Sequence, residues 1–162
     1  MELVDGRAEI EDLETFLNEI GRISDDTGSV IQLFDADYVA GERHLRRAAE
    51  MAGQAVDRGT TIAREPAVEL LLYAAGRRQI NRALEMGVGE GSQAVVGVID
   101  GGDEAAAVAA VEELLAATES VEWGDSETLR TFFDIGAAEL AVVDGDLESV
   151  VLERVALLAV DQ

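Results

Sequence analysis

The chain has 162 residues, enough for one domain with a hydrophobic core, and 48% of it is apolar, so its acidity does not signal disorder. It contains no cysteine, which excludes disulfides, thiolate catalysis and cysteine-bound metal. Its formal net charge is -22, from 34 acidic residues against 12 basic ones, and every basic residue is an arginine.

A first strand is expected over Met1 to Ile10, then a helix from Glu11 to Ile20 that Gly21 ends. The segment SVIQLF, Ser29 to Phe34, reads as a strand from its β-branched and aromatic content. A helix over Ala40 to Asp57 carries Leu45, Ala48, Ala49, Ala52, Ala55 and Val56 at helical spacing. Arg43, Arg46, Arg47 and Glu50 lie opposite that stripe, and Gly59 closes the helix. Pro66 suits the first turn of a helix that runs to Gly76. The next helix opens at Arg77 or Arg78, with Ile80, Ala83 and Leu84 inward, Arg78, Arg82 and Glu85 outward, and Gly87 as its end. Ser92 to Asp100 reads as a buried strand. Asp103 caps an alanine-rich helix to about Ala117, and Val121 to Trp123 forms a short edge strand. Asp125 or Ser126 caps a helix holding Phe132 and Phe133, and Gly145 and Asp146 precede a last helix from Leu147. With one proline, no linker-like tract and no repeat, the expectation is a single domain over residues 1–162. Its class is α/β (α+β-like), a small mixed β-sheet packed against several helices.

Catalysis is tested by elimination. His44 is the only histidine, and no glycine-rich nucleophile turn accompanies it, so it reads as packed or merely superficial. Without lysine there is no phosphate-loop lysine and no Schiff base. The acidic stretches DGGDE and DGDLE lack the twelve-residue calcium-loop spacing and read as turns with helix caps. No catalytic residue, metal or cofactor is expected. The contrasting reading, a small enzyme using clustered carboxylates, requires a deep pocket holding at least two acids with raised pKa values.

Charge is unevenly distributed. Residues 1–39 carry net -9 and residues 83–162 net -16, whereas residues 40–82 hold eight arginines and five acids, net +3. Arg77, Arg78 and Gln79 at a helix start combine free backbone N–H groups, a positive dipole end and guanidinium forks shaped for phosphate. Arg43, Arg46, Arg47 and Arg64 extend that patch if they are free. The residues alone leave a second reading equally open, in which these arginines pair with nearby acids, as Arg78 or Arg82 with Glu85. An acidic surface with arginine in place of lysine points to a cytoplasm of very high salt, as in a halophilic archaeon. There the screening length is about 3 Å, so an anion is held by close, shaped contacts and stacking rather than by distant attraction. The absence of a basic-then-apolar leader and of an apolar run near the roughly 18 residues of a membrane helix predicts a cytoplasmic protein without membrane contact.

The segments LFDADYVAGERHLRRAAEMA and GTTIAREPAVELLLYAAGRRQINRALEMGV resemble the TPRKB-like small subunit of the KEOPS complex, with Asp-Ala-Asp where that family often has Asn-Ala. LERVALLAV near the C-terminus is similar to the family's final helix. The resemblance implies a non-catalytic subunit of the assembly that installs threonylcarbamoyl-adenosine next to the anticodon of tRNA. Such a subunit binds and stimulates the assembly's small kinase/ATPase, meets the other subunits indirectly, and in archaea grips the single-stranded 3′ CCA end of tRNA. It also directs attention to GRRQI, so Arg77, Arg78, Gln79 and Ile80 are assigned to tRNA contact, with Arg64 and Arg82 as extensions. Exposed members of two apolar runs, Leu70, Tyr73, Val151 and Leu158, are candidates for the kinase interface. The runner-up is a subunit that regulates the kinase by protein contact alone, with no RNA contact.

Overall fold

A computed structural model describes residues 1–115 and 121–160. Along the chain run β1 (Glu2–Ile10), α1 (Leu13–Thr27), β2 (Val30–Asp35), a 3-10 turn (Ala36–Tyr38), α2 (Glu42–Arg58), α3 (Pro66–Ala75) and α4 (Ile80–Ala83). A second 3-10 turn (Leu84–Met86), β3 (Gly91–Asp100), α5 (Glu104–Leu114), α6 (Ser126–Phe132), α7 (Ala137–Val142) and α8 (Leu147–Val160) follow. The contacts group these into two compact units, Met1–Ala36 with Gly87–Glu122 and Asp37–Met86 with Trp123–Gln162.

The first unit holds the sheet, ordered β1-β3-β2, with β3 antiparallel to both neighbours. The expected class, helices with a small sheet, is observed; the mixed sheet is in fact an antiparallel one. Val4 and Leu33 both lie opposite Gly97. A Cβ on Gly97 would collide with Leu33 Cδ2, so the central strand carries no side chain where its two neighbours fill the space. Val4, Ile31, Leu33 and Ile99 pack in one apolar cluster with Ile20 of α1 and Val111 of α5.

α1 is longer than the sequence suggests. Gly21 does not end it, because the apolar spacing of Leu13, Phe16, Ile20 and Ile23 continues through that position into the same cluster. The helix ends at Gly28, which takes the left-handed conformation (φ 73°) and returns its N–H to Ser24 O. Asp103 caps α5 by accepting from Ala106 N, as expected; the expected end near Ala117 lies outside the described residues. The edge strand expected at Val121 to Trp123 is not formed. The chain carries Gly124 at φ 81° there instead, and Asp125 N–H donates to Asp37 O, a long-range bond that overrides the strand propensity of Val121 and Trp123.

The second unit is helical. α2 buries Leu45, Ala48, Met51, Ala52 and Ala55, and Gly59 caps it in the left-handed region, but Val56 at the margin of the expected stripe is exposed. α3 is buried from Glu69 to Ala75 and runs from Pro66 to a left-handed Gly76, the bounds read from the sequence. α4 is one turn long and starts at Ile80, so Arg77 to Gln79 precede it. Of its expected inward residues only Ala83 is buried; Ile80 is 48% and Leu84 58% exposed. A single turn running into a 3-10 segment presents no continuous helical face, so the spacing argument fails there. α7 has no counterpart among the expected elements, and α8 matches, with Asp146 accepting from Ser149.

Candidate nucleic-acid interface

The left-handed turn at Gly76 sends α3's successor residues in two directions. Arg77 N–H closes the turn on Leu72 O, and the Arg77 side chain points into the unit. Its Nη2 donates to the carbonyl of Phe132, and its guanidinium carbon lies 5.2 Å from the centre of the Phe132 ring. That carbonyl belongs to the C-terminal end of α6, where unpaired oxygens and the helix dipole favour a cation. The Phe132 ring is itself held edge-on by Tyr38 at 5.3 Å and Phe133 at 5.0 Å. Arg77 is therefore half-buried and tied to α6, and it precedes α4 instead of opening a helix as expected.

Arg78 faces out. It lines an open groove of about 470 Å³ with Met51, Gln54, Ala55 and Arg58 of α2, Thr60, Thr61 and Ile62 of the following loop, Tyr73 of α3 and Ala159 of α8. Neither Arg58 nor Arg78 forms an ion pair with a described carboxylate, and exposed Arg64, on the same loop, is likewise unpaired among the described residues. In a chain with 34 acids, two unneutralised guanidinium groups opening on one groove are a specific arrangement. The groove mixes apolar walls (Met51, Ala55) with hydrogen-bonding ones (Gln54, Thr60, Thr61), so it offers contacts to a group that is part flat and apolar, part anionic.

The remaining arginines of the basic segment follow the pairing reading. Arg43 bonds Glu148 at 2.8 Å, Arg46 bonds Glu42 at 2.7 Å and Arg47 bonds Glu50 at 2.8 Å, so they do not extend a free patch. Arg82 lies 3.9 Å from Glu85, a loose and exposed pair. Gln79 and Ile80 are exposed beside Arg78 in sequence. Sequence reasoning missed Arg58, Gln54, Thr60 and Thr61. Arg58 reads simply as a basic residue in a helix's last turn, and only the fold brings it to the same groove as Arg78.

The expected kinase contacts are corrected. Leu70, Tyr73, Val151 and Leu158 are at most 3% exposed and belong to the core of the helical unit. α8 is apolar nearly all round, so its sequence does not say which side turns inward; Leu157 and Val160 are the exposed ones. His44 is packed, accepting Ala40 N–H at Nδ1 (3.0 Å), with Nε2 2.8 Å from Ala74 O. Burial pushes its pKa down to about 4.

An acidic cleft of about 310 Å³ is lined by Glu85, Asp125 and Glu127 with Tyr38, Thr128, Thr131 and Phe132. The Thr128 hydroxyl and N–H hold the Asp125 carboxyl below its ordinary value. The Gly101 N–H does the same for Glu104, Arg154 for Glu139 and the Ser149 hydroxyl for Asp146. Every carboxyl group displaced in this way is displaced toward the ionised form, opposite to what a general acid requires. No group of three or more metal-ligating side chains occurs among the described residues, and none of their helices is long and apolar enough to cross a membrane.

The model of the family described as kinase binding protein CGI-121 matches residues 9–159. No curated protein matches the chain.

Proposed function

The chain belongs to the CGI-121 family of kinase binding proteins, and from that premise we propose that it is the non-catalytic small subunit of the KEOPS complex of a halophilic archaeon. In this reading it works in the cytoplasm as one domain, binds and stimulates the kinase/ATPase subunit, and meets the remaining subunits through it. It recruits tRNA by the single-stranded 3′ CCA end for threonylcarbamoyl-adenosine formation next to the anticodon.

The observation that carries the RNA half is the groove holding Arg58 and Arg78 without carboxylate partners among the described residues. A flexible, unstacked end brings its phosphates and base edges to such a groove at contact distance, which suits an environment where attraction beyond about 3 Å is screened. The RNA surface is thereby redrawn around Arg58 and Arg78, with Arg64, Gln79, Ile80 and Arg82 at its margin and Arg77 as a support. The kinase contact is assigned to exposed apolar side chains such as Leu157 and Val160 in place of the buried ones.

Filter binding of intact tRNA and of tRNA trimmed of its CCA end, both in molar salt, tests this. The intact RNA is expected to bind and the trimmed one to be released. Equal retention of both would exclude 3′-end recognition. The kinase-only reading draws support from the pairing of Arg43, Arg46 and Arg47 with carboxylates; retention of neither RNA would favour it.

A further inference from the structure

Glu69 is a charged side chain with no exposure to solvent and no cation partner among the described residues. It sits in the first turn of α3. Its carboxylate accepts the Ile62 N–H at 2.9 and 3.1 Å on its two oxygens and the Ala63 N–H at 2.7 Å. Residues 60–65 belong to no helix or strand, so no regular ladder satisfies these amides. The carboxylate is what satisfies them, and they in turn give its buried oxygens hydrogen-bond partners.

The same loop forms one wall of the groove. Thr60 N–H is tied to Ala55 O of α2 at 3.0 Å, Ile62 and Ala63 are tied to Glu69 of α3, and Thr61 lies between these two anchors. Thr60, Thr61 and Ile62 line the groove, and Arg64 follows the second anchor directly. We propose that Glu69 is a positioning residue for the RNA groove, fixing the 60–64 loop so that its hydroxyls and Arg64 converge with Arg58 and Arg78 on the same ligand. This rests on the RNA-binding reading above. One oxygen accepts from both amides and the second oxygen also faces the Ile62 N–H. A glutamine keeps a single acceptor oxygen and sets an amino group against the Ile62 N–H, donor against donor, so the clamp is weakened.

The test compares the full-length wild type with Glu69→Gln, Arg78→Ala and the double variant. Residue-resolved amide hydrogen exchange is recorded, together with anisotropy titration of a labelled single-stranded RNA ending in CCA. In the wild type the Ile62 and Ala63 amides are expected to exchange at least about 100-fold more slowly than that of Thr61. In Glu69→Gln that protection falls while α2 and α3 keep theirs, and RNA affinity drops about tenfold. The double variant loses less than the two single losses combined, because a displaced loop leaves Arg78 with less to cooperate with. Unprotected Ile62 and Ala63 in the wild type would overturn the clamp whatever RNA does. Lost protection with unchanged RNA affinity, or strictly additive losses, would overturn the positioning role. A wild type that binds no RNA while its amides are protected would instead sink the RNA reading and this role with it. Should Glu69→Gln unfold, Ala63→Pro removes one donor from the loop and leaves α3 intact; the same tenfold loss is expected, and wild-type affinity contradicts the proposal.

Discussion

Arg77 donates to the Phe132 carbonyl and covers that residue's ring, while Arg78, its neighbour in sequence, lines the groove with Arg58. Their substitutions therefore separate stability from binding. Arg77→Ala removes one charged-donor hydrogen bond and a cation–π contact and is expected to lower unfolding free energy by about 1–2 kcal/mol. Arg78→Ala stays within about 0.5 kcal/mol of wild type and reduces RNA affinity about tenfold. Denaturant melts and RNA titrations in the same high-salt buffer read both, and a destabilised Arg78→Ala with normal RNA binding would reverse the assignment. His44 sets a pH dependence. Its folded pKa, about 4, lies below the ordinary 6.5, so the unfolded chain takes up a proton between these values and the folded one does not. The stability contributed is full above about pH 6.5 and is lost as pH falls toward 4. As this is the only histidine, the loss between pH 7 and 5.5 is expected to be about 1 kcal/mol. Melts of wild type and His44→Gln at those two pH values check it: the difference between the proteins should change by that amount, and a constant difference contradicts the account.

Among the elements, limits set by a single unambiguous proline, glycine or capping residue were legible. α3 begins on Pro66 and stops at left-handed Gly76, α2 stops at Gly59, and α8 starts behind Asp146. Elements whose limits depend on tertiary contact were not. α1 runs through Gly21 because Ile20 and Ile23 continue to bury, and α4 fails to bury Ile80 and Leu84 because it has no second turn. The two α1 glycines give opposite expectations. Gly21 is helical with no heavy atom within 4 Å of an added Cβ, so Gly21→Ala should stabilise by about 0.5–1 kcal/mol. Gly28 sits at φ 73°, so Gly28→Ala should destabilise by about 1 kcal/mol. Thermal melts at fixed salt measure both, and two shifts of the same sign would mean that the helix ends elsewhere.

For the whole molecule, the uneven charge of the sequence contains the arginines of the proposed groove without singling them out. The basic segment 40–82 does contain the groove arginines, yet Arg43 is neutralised by Glu148, whose position 105 residues away no local pattern reveals. Arg58 and Arg78 converge only through the packing of α2 and α3 with the loop between them. A ligand held by few, close contacts has a shallow salt dependence. Two phosphates neutralised on a single strand give a slope of log affinity against log salt of about -1.4, whereas a broad basic surface gives a much steeper one. The account rests on those two guanidinium groups, and the most direct measurement is tRNA binding by the Arg58→Glu/Arg78→Glu double variant in molar salt, with kinase co-purification followed in parallel. A loss of at least about 100-fold in RNA affinity with kinase binding intact is the predicted result, and wild-type RNA affinity in that variant would contradict it.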